Sequence, residues 1–449
     1  MSFELNSAYI DQIEQLVEVR SNHRLLTLLK DVHYADIAEL IEALDIDTAT
    51  YLIKLLDSDK TSDVLAELDE DLSEQILKAF SPKEIAEEVV ELDTDDAADI
   101  IAKLPDKRKE EVIARIEDQK HAEAIVELLR YDENSAGGLM AKELVKVNEN
   151  WNVLKCVKEM RAQAENVTRV HSIYVVDDSD MLKGRLSLKN LLATSTRTHV
   201  KDVYIPKVDY VSVNDKAEDV AKIMAKYDLE AIPVIDELGR LAGRITIDDI
   251  VDVIKEEAEK DYQLAAGITQ EVEADDSIWE LTRARLPWLV LGLLGGLGSV
   301  FIMEGFEEAL SKYRELFFFT PLIAAMAGNV GVQSSAIIVQ GLANNAVKGS
   351  LLSRLIKEIS LSLINGVALS LLVIVFGYFT ALDQLFSLTI ALSMLCVIIV
   401  AALIGTFIPI LLHKRGIDPA IATGPFITTS NDIFGIFLFF YIAKSILGF

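Results

Sequence analysis

The sequence has little of the residue chemistry that marks disulfide-stabilised or zinc-binding proteins. Only two of its 449 residues are cysteines, Cys156 and Cys396, and neither lies in a CxxC or Cys/His cluster. A disulfide framework and a structural zinc site are therefore not indicated. Of the six histidines, only His413 lies near a long apolar run, which disfavours Zn2+, Ni2+ and Cu2+ as ions bound there.

Sequence signatures of membrane enzymes and primary pumps are also missing. The chain contains no HExxH motif, no Walker A loop and no DKTGT phosphorylation site. We therefore expect neither an intramembrane metalloprotease nor a pump, and no enzyme activity. The first 30 residues contain acids and no long apolar core, so we expect no secretory signal and a cytoplasmic amino terminus.

Negative charge is abundant but unevenly distributed. The net charge is -28, and the residues from Leu286 onward contain equal numbers of acids and bases, so the whole excess lies before that point. A segment this acidic repels nucleic acids and needs counter-ions, of which divalent metals are the most effective. We therefore expect no nucleic-acid partner and a role for a divalent cation.

Five apolar runs near the carboxy terminus are each long enough to cross a bilayer, for which about 20 residues are needed. Arg283 precedes the first run, Arg354 lies between the second and third, and Lys414 lies between the fourth and fifth. By the positive-inside rule, this pattern predicts a multi-pass protein of the cell membrane, in contact with lipid, with its amino terminus inside and its carboxy terminus outside. The predicted runs are 286–303, 316–343, 359–382, 385–412 and 419–443.

The first 120 residues repeat themselves with a period of twelve. Hydrophobic residues recur in two registers, one of which contains Leu44, Leu56 and Leu68. Twelve residues suffice for one short helix and a turn, so the pattern predicts an all-α domain of stacked helices. In four units an aspartate would cap the next helix, and stacking would also line these carboxylates along one edge of the domain. These residues are Asp45, Asp57, Asp69 and Asp93.

A second repeat follows, with an offset of 59 residues. The segment IYVVD at 173–177 returns as IPVID at 232–236, and Gly184 returns as Gly243. Each copy predicts the order strand, helix, strand, glycine turn, strand, helix. The repeat resembles a tandem pair of cystathionine β-synthase (CBS) domains.

The CBS resemblance implies that this part of the chain can bind ATP or another adenosine nucleotide. Each copy contains a Gly-x-x-Ser/Thr-x-x-Asp/Asn pattern, whose polar side chains can meet a ribose in that family. The same side chains would alternatively cap the helices that follow them. The candidate nucleotide-binding residues are Ser187, Asn190, Thr246 and Asp249.

An acidic helical segment connects the second repeat to the first apolar run. Like charges spaced four residues apart, such as Asp248 and Asp252, destabilise a bare helix by about 0.2–0.5 kcal/mol per pair. A bound cation would remove this cost. The helix is predicted to be either a rigid spacer or the moving part that transmits the state of the preceding domains to the membrane.

These segments together predict a multidomain membrane protein. An all-α helical-repeat domain occupies 1–130, and α+β tandem CBS domains occupy 131–198 and 199–255. An acidic connecting helix occupies 247–282, and a transmembrane domain of five helices occupies 283–449.

Polar residues interrupt two of the apolar runs. Asn329 and Gln333 lie four residues apart on one helical face of the second run, and Thr428 and Asp432 share a face of the fifth. Asp432 is the only acid inside any predicted run. An ionised carboxylate at the bilayer centre costs at least ~2.5 kcal/mol, so it needs water, a partner or a cation. With no base at matching depth, Asp432 either lines a hydrated cation path or is protonated and packed.

The stretches PLIxxxxGNxGxQ and GPFITTxxDxxG, five apolar runs, tandem CBS domains and acidic helical repeats together resemble the MgtE family of magnesium channels and transporters. The resemblance covers essentially the whole chain. It implies a homodimer whose second and fifth spans line a pore that holds Mg2+ mainly as the hydrated ion. The implied pore residues are Asp432, Asn329, Gly328, Gln333 and Thr428.

The same resemblance implies that cytosolic Mg2+ closes the pore by binding between the acidic domains. Mg2+ prefers one or two carboxylates together with retained waters, which these segments can offer. A coupled carrier of another divalent cation such as Co2+, with CBS domains modulated by nucleotide, is the alternative function. The implied sensing residues are Asp93, Asp95, Asp215, Asp228, Asp249, Asp252, Glu256 and Glu257.

Overall fold

The computed structural model of the protein describes residues 5–165, 167, 169–270, 272–274, 276–343, 347 and 349–448. The chain divides into two compact units, which meet in sequence between Lys255 and Glu256. Residues 1–4 of the predicted helical domain and residues 271 and 275 of the predicted connecting segment lie outside the described residues.

The first unit begins with ten short helices, as the twelve-residue period predicts. The helices α3 to α9 begin at intervals of twelve residues, from Tyr34 to Asp106. Alternate helices pack on one another, α3 on α5, α5 on α7, α7 on α9 and α4 on α6. The helices α1 to α10 are Ser7–Glu18, Asn22–Leu29, Tyr34–Glu42, Ile46–Ile53, Ser58–Glu67, Glu70–Lys78, Pro82–Val89, Thr94–Ala102, Asp106–Ile113 and Gln119–Leu128.

Both hydrophobic registers of the repeat face the core. Ile41, Ile53 and Leu65 are fully buried in one register, and Leu68 is buried in the other, whereas Leu56 is half-buried. Residues three apart are about one helical turn apart. The backbone nitrogens of Leu44 and Leu56 donate to the carbonyls of Ile41 and Ile53 at 3.1 Å, so the turn after each helix keeps the second register beside the first. Apolar burial of this kind is the main source of stability for helices too short to persist alone.

The predicted capping aspartates are only partly confirmed. All four occupy the residue before a helix, but only Asp45 accepts hydrogen bonds there, from the backbone of Asp47 and Thr48. The side chains of Asp57, Asp69 and Asp93 make no capping hydrogen bond within the described residues. The prediction was therefore wrong for three of the four carboxylates.

The CBS pair consists of two small sheets with the same pairing pattern, as the sequence repeat predicts. The sheets have the orders β1-β2-β3-β4 and β5-β6-β7, and each joins a parallel pair to an antiparallel pair. The strands β1 to β7 are Val145–Asn148, Ile173–Val176, Leu182–Leu186, Ile205–Pro206, Val211–Ser212, Ala231–Ile235 and Leu241–Thr246. The helices α11 to α14 are Val153–Ala164, Leu188–Ala193, Ala217–Tyr227 and Ile247–Ala266, and a 3-10 helix spans Val200–Asp202.

The predicted glycine turns are wrong, because Gly184 and Gly243 lie inside strands β3 and β7. A Cβ at Gly243 would lie 2.6 Å from the carbonyl oxygen of Ala141, so the glycine permits a close approach of two backbone segments. In the second copy the turn itself contains Gly239, whose φ of +83° falls in the left-handed region.

Within its described residues, the second unit contains five helices that are long and apolar enough to cross a membrane, which confirms the predicted number. They are α15, α17, α18, α19 and α20, and the short α16 lies between the first two. A 3-10 helix, Pro419–Ala422, precedes α20. The helices α15 to α20 are Ile278–Glu304, Glu307–Lys312, Glu315–Ala343, Leu351–Phe379, Gln384–Lys414 and Gly424–Leu447.

Two of these helices begin well before the apolar runs that predicted them. Ser277 and Glu280 form a reciprocal capping box that begins α15, and the hydroxyl of Ser350 accepts a hydrogen bond from the backbone of Ser353 to begin α18. Polar capping chemistry, which a hydropathy pattern does not read, therefore sets these boundaries.

The helix α19 is the centre of the membrane unit and packs against α17, α18 and α20. Gly267 directly follows the connecting helix α14, has a φ of +82°, and lies against Pro425 in the first turn of α20. Gly424, with φ of +49°, lies directly against the carbonyl oxygen of Ala265. A side chain at either glycine would push α14 and α20 apart.

Candidate functional site

The membrane unit contains a cavity between α17 and α20. Its volume is about 310 Å³, which is room for several water molecules. The five pore residues predicted from the sequence all line it, together with two alanines and one valine. The lining residues are Ala324, Ala325, Gly328, Asn329, Val332, Gln333, Thr428 and Asp432.

Gly328 lets the two helices approach at this cavity. A Cβ at this position would lie 3.1 Å from Cγ2 of Thr428 and 3.7 Å from Oδ1 of Asp432. The hydroxyl of Thr428 donates to the carbonyl of Gly424 at 3.0 Å, so its oxygen can still accept a hydrogen bond from water. The cavity thus offers carboxylate, amide and hydroxyl oxygens and no nitrogen base, a donor set suited to a hard, hydrated cation.

Two polar features of the membrane unit were missed by the sequence analysis. Glu358 lies in the eighth position of α18 and accepts a hydrogen bond from Ser334 at 2.6 Å, so Asp432 is not the only acid within a membrane helix. Asn431 is 1% exposed, and its amide has no hydrogen-bond partner within the described part of the chain. Glu358 was missed because the apolar run was counted from the residue after it.

The first unit contains a second candidate site, which we call the sensing cluster and define as Asp93, Asp95 and Glu143. One carboxylate oxygen from each of them lies within 4.8 Å of the other two. This geometry can hold a divalent cation with retained waters. Asp93 and Asp95 were predicted from the family resemblance, and Glu143 was not.

Glu143 is held in place by the start of α8. Its Oε2 accepts hydrogen bonds from the backbone nitrogen of Thr94 at 3.1 Å and from the Thr94 hydroxyl at 2.8 Å. The Thr94 hydroxyl also accepts from the backbone of Lys142 at 2.9 Å. Nothing in the sequence places Glu143 opposite α8, because the contact joins segments that are 49 residues apart.

Burial and mutual repulsion perturb the carboxylates around the sensing cluster. Burial raises the pKa of Asp95 well above its ordinary value of 3.8, and repulsion from Asp249 is the second largest cause. The same two causes raise the pKa of Asp96 to about 7. Burial raises the pKa of Asp249 to about 6, although hydrogen bonds from Thr246 oppose the shift. This region therefore carries more negative charge than the protein solvates well, and a divalent cation would relieve it.

Two further predicted acids reach this region through the first half of α14. Asp249 lies close enough to Asp95 to raise its pKa. The pKa of Glu67 in α5 is raised first by burial and second by repulsion from Asp252. Asp96 and Glu67 were not predicted. Acids from α14 and from the helical domain thus converge within the first unit.

The remaining predicted sensing residues have other positions. Asp215 accepts a hydrogen bond from the backbone of Ser212 at 2.8 Å, and Asp228 ends α13 in a left-handed conformation. Glu257 forms an ion pair with Lys260 at 3.1 Å. Among the described residues, Asp215, Asp228, Glu256 and Glu257 belong to no grouping of three metal-ligand oxygens.

The candidate nucleotide-binding residues differ between the two copies, and only Thr246 and Asp249 of the second copy form hydrogen bonds at the start of a helix. Ser187 begins α12 without a side-chain hydrogen bond to it, and Asn190 lies in that helix. Asp249 accepts hydrogen bonds from the hydroxyl of Thr246 at 2.8 Å and from its backbone nitrogen at 3.0 Å. Asp249 therefore accepts hydrogen bonds at the start of its own helix and also repels the acids around the sensing cluster.

Comparison with known proteins finds family matches in the helical repeats, the CBS pair and the membrane unit. Residues 320–442 match the MgtE divalent cation transporter family, and residues 32–134 match the MgtE intracellular N domain. Residues 136–196 and 200–256 match the CBS domain. The helical repeats thus match an intracellular domain, and most of the five-helix unit matches a divalent cation transporter family.

Curated relatives and a solved structure agree with these matches. The magnesium transporter MgtE of Bacillus subtilis is 34% identical over 71% of this chain and 71% of its own length. The MgtE of Thermus thermophilus is 35% identical over 71% of this chain and 72% of its own. A structure of the cytosolic domain of the Mg2+ channel MgtE in complex with ATP is 32% identical, with a TM-score of 0.51, and covers 54% of this chain and 99% of that one. The chain therefore belongs to the MgtE family of magnesium transporters.

Proposed function

We propose that the chain forms a homodimeric channel through which Mg2+ enters the cell across the lipid membrane. The cavity between α17 and α20 carries this proposal, because all five residues expected to line the pore meet there. The carboxy terminus would lie outside the cell, as the alternation of flanking charges predicts. Mg2+ is here the transported substrate.

Asp432 has the central role in this proposal. A carboxylate at this depth needs a cation or water to remain charged, and a hydrated Mg2+ supplies both. Mg2+ gives up its waters reluctantly, so amide and hydroxyl groups such as those of Asn329 and Thr428 would contact the hydration shell. In a homodimer two Asp432 carboxylates would face the same ion.

The proposal extends to regulation by cytosolic Mg2+. The sensing cluster and the neighbouring acids of α14 would bind Mg2+ when its concentration is high, and the connecting helix would then close the pore. Repulsion among these acids opposes their convergence without a cation, so Mg2+ favours the converged state by differential binding. A nucleotide such as ATP would bind at the CBS pair, a proposal supported by the ATP complex of the related cytosolic domain.

Ion flux into proteoliposomes tests the pore. Asp432→Asn preserves side-chain volume but removes the charge, so it should greatly reduce Mg2+ flux while dimerisation is retained. Asp418→Asn, which changes a capping residue outside the cavity, is the control. Native Mg2+ flux in the Asp432→Asn variant would contradict the assignment.

The same liposomes separate the channel from a coupled carrier. Flux that follows the Mg2+ gradient alone supports a channel. Flux that requires a proton or sodium gradient, or that carries Co2+ in preference to Mg2+, would support the carrier instead. ATP binding to the CBS pair is tested by calorimetry with Thr246→Val, which should weaken it if the Thr246 hydroxyl meets the ribose.

A further inference from the structure

Arg244 is a buried cation at the edge of the sensing cluster. Its side chain lies on β7 and is 7% exposed. Its Nη2 donates to Oδ2 of Asp93 at 3.1 Å, and its Nε donates to the backbone carbonyl of Glu143. One guanidinium therefore contacts two of the three residues that offer oxygens to a metal ion.

The backbone fixes Arg244 in this position. Its nitrogen donates to the carbonyl of Ala141 at 2.9 Å, and its carbonyl accepts from the nitrogen of Ala141 at 2.8 Å. Lys142, the nearest other base in this segment, is engaged by Glu127 at 2.8 Å and by the carbonyl of Ala242 at 3.0 Å. The backbone of Arg244 is therefore anchored beside the segment that carries Glu143.

We infer that Arg244 is a resident cation that weakens Mg2+ binding at the sensing cluster and so sets the Mg2+ concentration at which the protein responds. The inference rests on the proposed sensing function. Without metal, the guanidinium partly neutralises Asp93 and holds Glu143 near α8. With metal, the same positive charge repels Mg2+ and occupies an oxygen that Mg2+ would otherwise use. Both effects reduce the difference in stability between the metal-free and metal-bound states.

A sensor of an abundant ion needs this kind of weakening. Each unopposed carboxylate that converges on Mg2+ adds to its attraction, so a nearby cation lowers the affinity and raises the Mg2+ concentration needed for a response. Removing Arg244 should therefore destabilise the metal-free cluster and increase the stabilisation that Mg2+ provides. A residue that only supports the fold would lower the stability of both states equally.

Hydrogen exchange of the full chain in lipid nanodiscs separates these cases. The readout is the exchange rate of peptides spanning residues 93–104, with and without millimolar Mg2+. In Arg244→Gln, exchange without Mg2+ should be faster than in the native protein, and the slowing caused by Mg2+ should be about tenfold larger, or ~1.4 kcal/mol. Arg244→Lys retains the charge and should keep a nearly native Mg2+ response.

An equal Mg2+ response in the native protein and Arg244→Gln would overturn the inference. If Arg244→Gln does not fold, the same change is made in the Asp93→Asn variant. Position 93 then carries no charge, so the loss of Arg244 leaves no unpaired carboxylate there. There it should again enlarge the Mg2+ response relative to Asp93→Asn alone, and an unchanged response would overturn the inference. A native protein and variants that all fail to respond to Mg2+ would instead contradict the proposed sensing function.

Discussion

Protons and Mg2+ should compete for the acids at and beside the sensing cluster. The pKa of Asp249 is raised from 3.8 to about 6. Ionising this carboxyl in the folded protein therefore costs about 3 kcal/mol more than in water. The pKa of Asp96 is also raised, to about 7, so Asp96 holds its proton to higher pH than an ordinary aspartate.

The direction of the pH dependence follows from the raised pKa values. Folding with a raised acid pKa favours the protonated form, so the metal-free cluster is most stable below about pH 4 and loses stability as the pH rises to about 7. Mg2+ needs the ionised form. Its affinity should therefore rise across the same window, by up to about tenfold per pH unit for each proton displaced.

Calorimetry of the full chain in buffers of different ionisation heat measures the protons released when Mg2+ binds. At about pH 7 we expect protons to be released when Mg2+ binds, with Asp96 as the main source. Asp96→Asn should reduce this release, whereas Asp57→Asn, outside the cluster, should not. No proton release, together with equal affinity at about pH 6 and about pH 8, would refute the reasoning.

Gly328→Val should strongly reduce Mg2+ flux, because the added atoms meet Thr428 at about 3.1 Å. Mg2+ binding at the sensing cluster, measured by calorimetry, should stay native. Normal flux would show that the close approach of the two helices is dispensable. Asp45→Ala should lower the local stability of α4, measured by hydrogen exchange, by about 1 kcal/mol, because the Asp45 side chain caps this helix. Asp57→Ala should lower the stability of α5 much less, because Asp57 makes no capping hydrogen bond. Equal losses would contradict this. Replacing four acids of α14 together by amides should leave the pore conducting at cytosolic Mg2+ concentrations that close the native protein, and patch-clamp closure at the native concentration would argue against sensing by this helix. The four acids are Asp249, Asp252, Glu256 and Glu257.

Periodic and local features of the sequence predicted much of the fold. The period of twelve predicted a helical repeat because each unit contains its own hydrophobic residues and turn. Asn329 and Gln333 were predicted to share a face because both lie on one helix, and they do line one cavity. Such predictions need only the geometry of a single helix.

Contacts between distant segments were not predictable in this way. Glu143 and Arg244 meet Asp93 across 50 and 151 residues, respectively, and neither stands out in its own segment. Asp93 was predicted to cap α8, but the nearby guanidinium of Arg244 engages its carboxylate instead. Gly184 and Gly243 were assigned to turns because the sequence gives no sign of the backbone that lies against each of them.

The alternate packing of helices in the first unit limits how its length can change in evolution or design. Because α3, α5 and α7 stack on one another, and α4 stacks on α6, each twelve-residue unit moves the chain from one row to the other. Deleting one unit between α3 and α7 would change the row of the helices that follow it, and so would change how α8, which packs on α5 and α10, presents Asp95 to Glu143. Deleting or inserting two consecutive units would keep each helix in its row. The length of this domain should therefore change most easily by an even number of twelve-residue units.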